Sequence, residues 1–223
     1  MTHATTLGLQ TPTSNTTPDP EGLPPAAGQS SRRYTHAMAR RLSSADRARI
    51  FEHFDQLSST DRYLRFGSPM AAEVLRTYVD GIDFHSGVVF GVHADDLKLV
   101  GVAHVASGNG VAEIGLSVLD GWRNAGIGQL LLERAAGWAR SHAITTLFMH
   151  CLAENGAIRR LAKRIGMNVV AANGEADAHL ALAPAQSGSA SREAMLDGVA
   201  LFDFCLKRQV LATRRLLETI SGQ

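Results

Sequence analysis

Val118-Leu119-Asp120-Gly121-Trp122-Arg123-Asn124-Ala125-Gly126-Ile127-Gly128 is the stretch whose reading decides the fold of this chain. It follows an apolar segment of strand character, Ala112 to Val118, and leads straight into a helical pattern, Gln129 to Ser141. The tight turn between them carries Arg-x-x-Gly-x-Gly. Its glycines admit backbone angles and close approaches that a Cβ would block. Unpaired N–H groups at the start of the next helix point outward, where the helix dipole is positive. Such a junction suits a phosphate, and Arg123 adds a fork of donors for it. The expected ligand carries a pyrophosphate.

Spacing separates the phosphate-binding motifs. A P-loop needs Gly-x-x-x-x-Gly-Lys-Ser/Thr, and no Lys-Ser or Lys-Thr pair follows these glycines. A dinucleotide fingerprint needs Gly-x-Gly-x-x-Gly opening the first βαβ unit, whereas Gly126-Ile127-Gly128 is followed by Leu131 and comes mid-chain. For the glycines taken alone, a purely structural strand–helix turn stays open.

The flanking segments give the turn its context. Gly87 to His93, Leu99 to Ala106 and Val111 to Val118 are β-branched runs joined by short polar connections, which predicts an antiparallel meander. Ile127, Leu131, Ala135 and Trp138 recur at helical spacing and predict one buried face. Thr145 to Leu152 reads as the next strand, and Glu154 to Met167 as a helix stopped by glycine. Upstream, Ser31 to Arg41 is expected to supply a first strand. Ser43 to Asp46 reads as a capping box before Ile50, Phe54 and Leu57, Ser58 to Asp61 repeats the start signal, and Ala71 to Gly81 is a further short helix.

Two signatures together resemble the GNAT N-acetyltransferase superfamily: the Arg-x-x-Gly-x-Gly loop after a strand, and the later helix with Asn155 near its start and Gly166-Met167 at its end. Met167 replaces the usual aromatic there. Leu57 to Phe66 is also similar to the Leu-Ser-x-x-x-x-Tyr-x-Arg-Phe segment of bacterial GNAT domains related to protein-lysine acetyltransferases. The resemblance spans roughly Tyr34 to Ala183. It implies an α/β (α+β) GNAT fold, with a mixed central sheet of about six to seven strands flanked by helices. The expected division is an N-terminal tail over 1–31, an acyl-CoA-binding domain over 32–184, and a linker with an amphipathic helix over 185–223.

The resemblance also implies chemistry: transfer of an acyl group, with acetyl-CoA as expected donor, to a primary amine of a protein lysine or small molecule by direct attack. The pyrophosphate would lie on Arg123, Asn124, Ala125, Gly126, Ile127 and Gly128. The pantetheine arm would bond the main chain near Leu116 and Val118, and Asn155. Asn155 is equally suited to cap its helix. Glu113, near the start of the strand before the loop, is the candidate base, and a buried setting would raise its pKa usefully. The other reading of Glu113 is a solvent-facing strand residue or a partner for an arginine. Tyr63, Arg65 and Phe66 are candidate acceptor contacts; alternatively the two rings pack the short helix while Arg65 pairs with a core carboxylate. No general acid is assigned, because Ala162 stands where many GNAT domains carry a tyrosine. A rival function is a non-catalytic acyl-CoA sensor that signals through its C-terminal helix.

Composition bounds the remainder. With 22 basic and 21 acidic residues and a net charge of +1, there is no global field to favour nucleic acid. No apolar run reaches the roughly 18 residues of a membrane span. The first 31 residues hold five of the seven prolines and no aromatic, and are expected to be a disordered tail. They lack a signal peptide's charged start and apolar core, which favours the cytoplasm. Cys151 and Cys205 are expected to be separate thiols, and the nine histidines show no metal-ligand spacing. His93 and His104 fall on adjacent expected strands and read as structural or surface residues. Over Ala190 to Thr219 a long helix is expected. Met195, Val199, Phe202, Leu206, Val210, Thr213, Leu217 and Ile220 form an apolar stripe that would pack on its own domain or, in a homodimer, on a second subunit.

Overall fold

The computed structural model describes residues 37–185 and 187–221, so the expected N-terminal tail lies outside the described residues. Seven strands form one sheet: β1 (Ala39–Leu42), β2 (Val88–His93), β3 (Leu99–Gly108), β4 (Val111–Val118), β5 (Thr146–Leu152), β6 (Asn168–Ala172) and β7 (Glu175–Ala181), in the order β1-β2-β3-β4-β5-β7-β6. All neighbours pair antiparallel except β4 and β5, which run parallel. The β2–β3–β4 meander is the one expected from the β-branched runs. β2 is buried along its whole length, as a central strand covered on both faces must be.

The helices are α1 (Arg47–Asp55), α2 (Ser59–Phe66), α3 (Ala72–Asp80), α4 (Ile127–Ser141), α5 (Gly156–Arg164) and α6 (Ser189–Ser221). Local chemistry sets their starts. The Asp46 carboxylate accepts the Ser43 N–H at 3.0 Å before a short 3-10 turn and α1, and Ser58 Oγ accepts the Asp61 N–H at 3.1 Å to open α2. The helix α4 seats Ile127, Leu131, Leu132, Ala135 and Ala139 against β2, β3 and β4. Ile50, Phe54, Leu75 and Val79 of α1 and α3 fill the core as well, with α1 packed against α3 and β3.

Only three residue pairs join β4 to β5: Val111–Thr146, Ala112–Leu147 and Glu113–Phe148. Beyond them β5 stays with β7, and β4 continues to Val118 on β3 alone. The sheet therefore opens into a V on the side where β4 meets the glycine loop.

The hairpin β6–β7 was not read strand by strand from the sequence, although Asn173-Gly174 between two short runs is a strong turn signal; both residues have positive φ (53° and 85°).

The long helix departs from expectation in which face it uses. α6 docks in cis against α4 and β1 through Glu193, Asp197, Ala200, Phe204 and Lys207, a stripe of mixed character. The apolar stripe read from the sequence lies outward instead: Met195 and Phe202 are about 70% exposed, and Val199, Leu206, Val210 and Leu217 are exposed too. Ionic pairing dictated the docked face. The buried Arg134 guanidinium of α4 meets Glu193 at 2.7 Å and Asp197 at 2.5 Å and lies over the Phe90 ring.

Removing that cation leaves two carboxylates without a partner at a packed contact. Arg134→Leu is expected to lower stability by about 2 kcal/mol, less than for a fully buried pair because Asp197 is partly exposed. Urea denaturation measures it, and a change below about 0.5 kcal/mol would mean that α6 is held by something else.

Candidate functional site

A cleft of about 440 Å³ lies at the opening of the sheet. Leu116, Ser117 and Val118 of β4 line it, together with the glycine loop, Arg65 and Asp61 of α2, and Asn155, Ile158, Arg160, Leu161 and Arg164 around α5. Among the sequence-predicted residues, Leu116, Val118, Arg123, Asn124, Gly126, Ile127, Gly128, Asn155 and Arg65 come together there. Ala125, Tyr63, Phe66 and Glu113 do not line it.

Main-chain geometry explains what the cleft offers. The Leu119 N–H bonds the Val100 carbonyl on β3 at 2.9 Å. Since successive residues of a strand alternate their bonding direction, the N–H and C=O groups of Leu116 and Val118 face away from β3, into the gap. At the loop, Gly126 has φ +84°, a left-handed conformation that glycine adopts without a steric cost. The amides from Asn124 to Gln129 precede or open α4, so the helix gives them no acceptor; the Leu130 N–H is bonded to the Gly126 carbonyl at 3.0 Å. A line of donors thus ends at a positive helix terminus.

The charges around this line include residues that the sequence did not reveal. Arg160 and Arg164 of α5 add two cations, placed by the fold 32 or more positions after the loop. Arg123 is not a free donor: its Nη2 lies 2.5 Å from Asp61 Oδ1 across the cleft. Against the desolvation that would raise it, hydrogen bonds from Ser58 and Arg123 hold the Asp61 carboxyl below its usual range. Asn155 is the N-cap of α5, its Oδ1 accepting the Ile158 N–H at 3.2 Å, while its Nδ2 reaches the Leu64 carbonyl at 3.4 Å.

Beneath the cleft, Ser117 meets a buried histidine. His53 Nδ1 lies 2.9 Å from the Leu99 carbonyl oxygen and Nε2 lies 2.8 Å from Ser117 Oγ. A carbonyl only accepts, so in the neutral ring Nδ1 carries the proton and Nε2 accepts the Ser117 hydroxyl hydrogen. The hydroxyl is left with lone pairs only for the cleft. Burial pushes the His53 pKa down to about 4, despite the Leu99 bond, with Arg65 acting in the same sense.

On the same face of β4, α1, α2 and α3 build an aromatic wall. Phe54, Phe66 and Tyr78 meet edge to face at centroid distances of 5.2 to 5.9 Å. Tyr78 Oη lies 2.8 Å from His104 Nδ1 and accepts from Arg65 Nη2 at 3.3 Å. His104, half-buried, has its pKa lowered to about 4 by burial and then by Arg65. Phe66 thus packs this wall, and Tyr63 is exposed. Glu113 precedes Gly115 by two residues, so it shares this face by alternation, but it is exposed, and the buried setting expected for it is not found. At that end of β4, Ala112 and Ile114 are the buried residues. Ala162 is buried. Among the described residues no cluster of metal-ligating side chains occurs, no helix is long and apolar enough to cross a membrane, and Cys151 and Cys205 are free thiols.

This chain belongs to the GNAT acetyltransferase family: the family profile described as "Acetyltransferase (GNAT) domain" matches residues 37–168. Solved structures show the same fold. The GNAT domain of S. lividans PAT is similar at 20% identity and a TM-score of 0.57, over 66% of this chain and 90% of that one. A GNAT superfamily phosphinothricin acetyltransferase from Sinorhizobium meliloti, in complex with AcCoA, gives 15% and 0.55 over 68% and 94%. The ribosomal-protein-S18-alanine N-acetyltransferase of Escherichia coli gives 15% and 0.54 over 68% and 97%. No match to this chain is found among curated proteins.

Three buried or half-buried histidines, His53, His93 and His104, have pKa values lowered to about 4, in each case chiefly by desolvation. Unfolded, each would titrate near 6.5. As pH falls the unfolded chain takes up protons first, so their contribution is whole above about pH 6.5 and is lost towards pH 4. The melting temperature is expected to be flat from pH 7 to 8 and to drop steadily from about pH 6.5 to 4. A melting temperature independent of pH across that window would contradict the neutral buried rings.

Proposed function

We propose that this protein is an acyl-CoA-dependent N-acyltransferase that moves an acetyl group from acetyl-CoA to a primary amine. The observation that carries the reading is the parting of β4 from β5 beside a donor-lined helix start, which gives an extended arm and a pyrophosphate adjacent places. The Sinorhizobium meliloti relative in complex with AcCoA supports the choice of donor.

Acyl-CoA supplies the activated acyl carbon, and the chain's own residues supply the rest. The N–H groups from Asn124 to Gly128, with Arg123, Arg160 and Arg164, would bind the phosphates. The Leu116 and Val118 main chain would hold the arm as an added strand does. Ser117 Oγ, its hydrogen given to His53, would accept an N–H of the ligand. In the transfer the N–C bond forms as the C–S bond breaks. We assign the amine proton to water beside Glu113, whose exposure on the acceptor face suits a relay better than direct contact. The thiolate, of pKa near 8.5, leaves unassisted and takes a proton from solvent.

A second reading is favoured by one feature: Glu113 on β4 is exposed, and Ala162 on α5, at the position where the family resemblance would put an acid, is buried and carries no acidic group. On that reading the domain senses acyl-CoA without turnover. Both readings require binding, and only the first requires an acetylated product.

Calorimetric titration of acetyl-CoA tests the cleft. The parent is expected to bind; Gly126→Glu, which puts a negative side chain at the phosphate position, is expected to abolish binding. Arg123→Ala should weaken it by about tenfold, the loss of one charge-assisted contact. A folded parent that does not bind would remove the acyltransferase reading.

A further inference from the structure

Among the described residues, Arg65 is a half-buried cation without an anion. Arg40, Arg62, Arg123 and Arg134 each meet a carboxylate at 3.6 Å or less. Arg47 spends its guanidinium on the carbonyls of Val79 and Ile82. The Arg65 guanidinium has only the Tyr78 hydroxyl, at 3.3 Å, and among the described residues no carboxylate pairs with it. Its Nε is buried without a hydrogen-bond partner. Its ring neighbours are Phe66 at 4.7 Å and Phe54 at 6.0 Å, whose faces attract the cation. An aromatic face carries no net charge, so these rings leave the guanidinium's charge uncancelled.

The position of this charge is fixed by the backbone beneath it. A Cβ at Gly115 would run into the guanidinium, so the glycine lets Arg65 lie flat on β4. The next residue, Leu116, turns its main chain into the gap, and both Arg65 and Leu116 line the cleft. Around the cation, His53 and His104 are neutral at pH 7, and Glu113 is exposed and forms no ion pair with it. The reacting end of the cleft therefore carries an uncompensated positive charge.

We propose that Arg65 recognises a carboxylate brought to the reacting end of the cleft, either on the acceptor amine, as in an α-amino acid, or on the acyl chain, as in a succinyl donor. This rests on the acyl-CoA reading above and names its substrate class. A fixed guanidinium repels a simple ammonium ion, whereas a zwitterion brings the charge that neutralises it. The same field lowers the pKa of a neighbouring amine and eases loss of its proton. Guanidinium and carboxylate also match in a two-pronged geometry that an ammonium does not reproduce.

The full chain is assayed with acetyl-CoA against α-amino acids, each beside its own amide, and against one set of uncharged-side-chain amines with succinyl-CoA beside butyryl-CoA. Arg65→Gln and Arg65→Lys are assayed in parallel, and acetyl-CoA affinity is measured calorimetrically for all three. In one arm the carboxylate form is expected to lead in kcat/KM by about tenfold or more, and that arm identifies the source. Arg65→Gln should bring the ratio close to one, and Arg65→Lys should keep part of it, while acetyl-CoA affinity stays within about threefold of the parent. Ratios near one in both arms would overturn the proposal, as would a ratio that survives Arg65→Gln. So would absence of turnover with every carboxylate-bearing pair in a protein that binds acetyl-CoA, which leaves the acyl-CoA reading standing. Failure of the parent to bind acetyl-CoA would instead remove that reading, and this one with it.

Discussion

The separation of β4 from β5 after three residue pairs is the constraint on which the rest of the structure depends. A sheet normally satisfies its main-chain groups strand by strand, and unpaired ones are costly when shut away from water. Here Leu116 and Val118 keep theirs directed into an open cleft. The flanking elements make that opening stable. β3 holds β4 along its full length, β7 holds β5, and α4 braces the far face with Ile127 and Leu131. The glycine loop lies where the opened strand ends, so the donors of a strand and of a helix terminus become continuous.

Electrostatics divides the cleft into two parts. Around the loop, Arg123, Arg160 and Arg164 and the helix terminus make one end suited to phosphates, with Asp61 occupying Arg123 in the free protein. Towards α3 the wall is aromatic and its histidines are kept neutral by burial, so that Arg65 is the charge that a ligand meets. His53 and Ser117 join the halves: one ring nitrogen is committed to Leu99, the other to the hydroxyl, and the hydroxyl's remaining character is fixed as an acceptor.

The parts of this molecule that are local in sequence were legible in it. The meander, the Arg-x-x-Gly-x-Gly turn and the capping serines are all specified within about a dozen neighbours, and the structure has them at the expected positions. What depended on distant residues was not legible. Asp61 meets Arg123 and Arg134 meets Glu193 across 62 and 59 positions, and no spacing rule links them. For α6, periodicity identified an apolar stripe, but buried ionic contacts selected the neighbouring face. Glu113 shows the limit for a single side chain: alternation gives its face, while burial depends on what covers that end of the sheet, and among the described residues Glu113 is left exposed. Of the two readings open for Arg65, a contact for the acceptor or a partner for a core carboxylate, the second finds no carboxylate among the described residues, and that makes the residue informative.

The proposed function requires the opened strand and the glycine loop to act as one acyl-CoA site. Amide NMR of the full chain, with and without acetyl-CoA, tests this most directly. The amides of Leu116 to Val118 and of Asn124 to Gly128 are expected to shift together and exchange more slowly with solvent when acetyl-CoA is present. Perturbations confined to other parts of the protein, with these two segments unchanged, would contradict it.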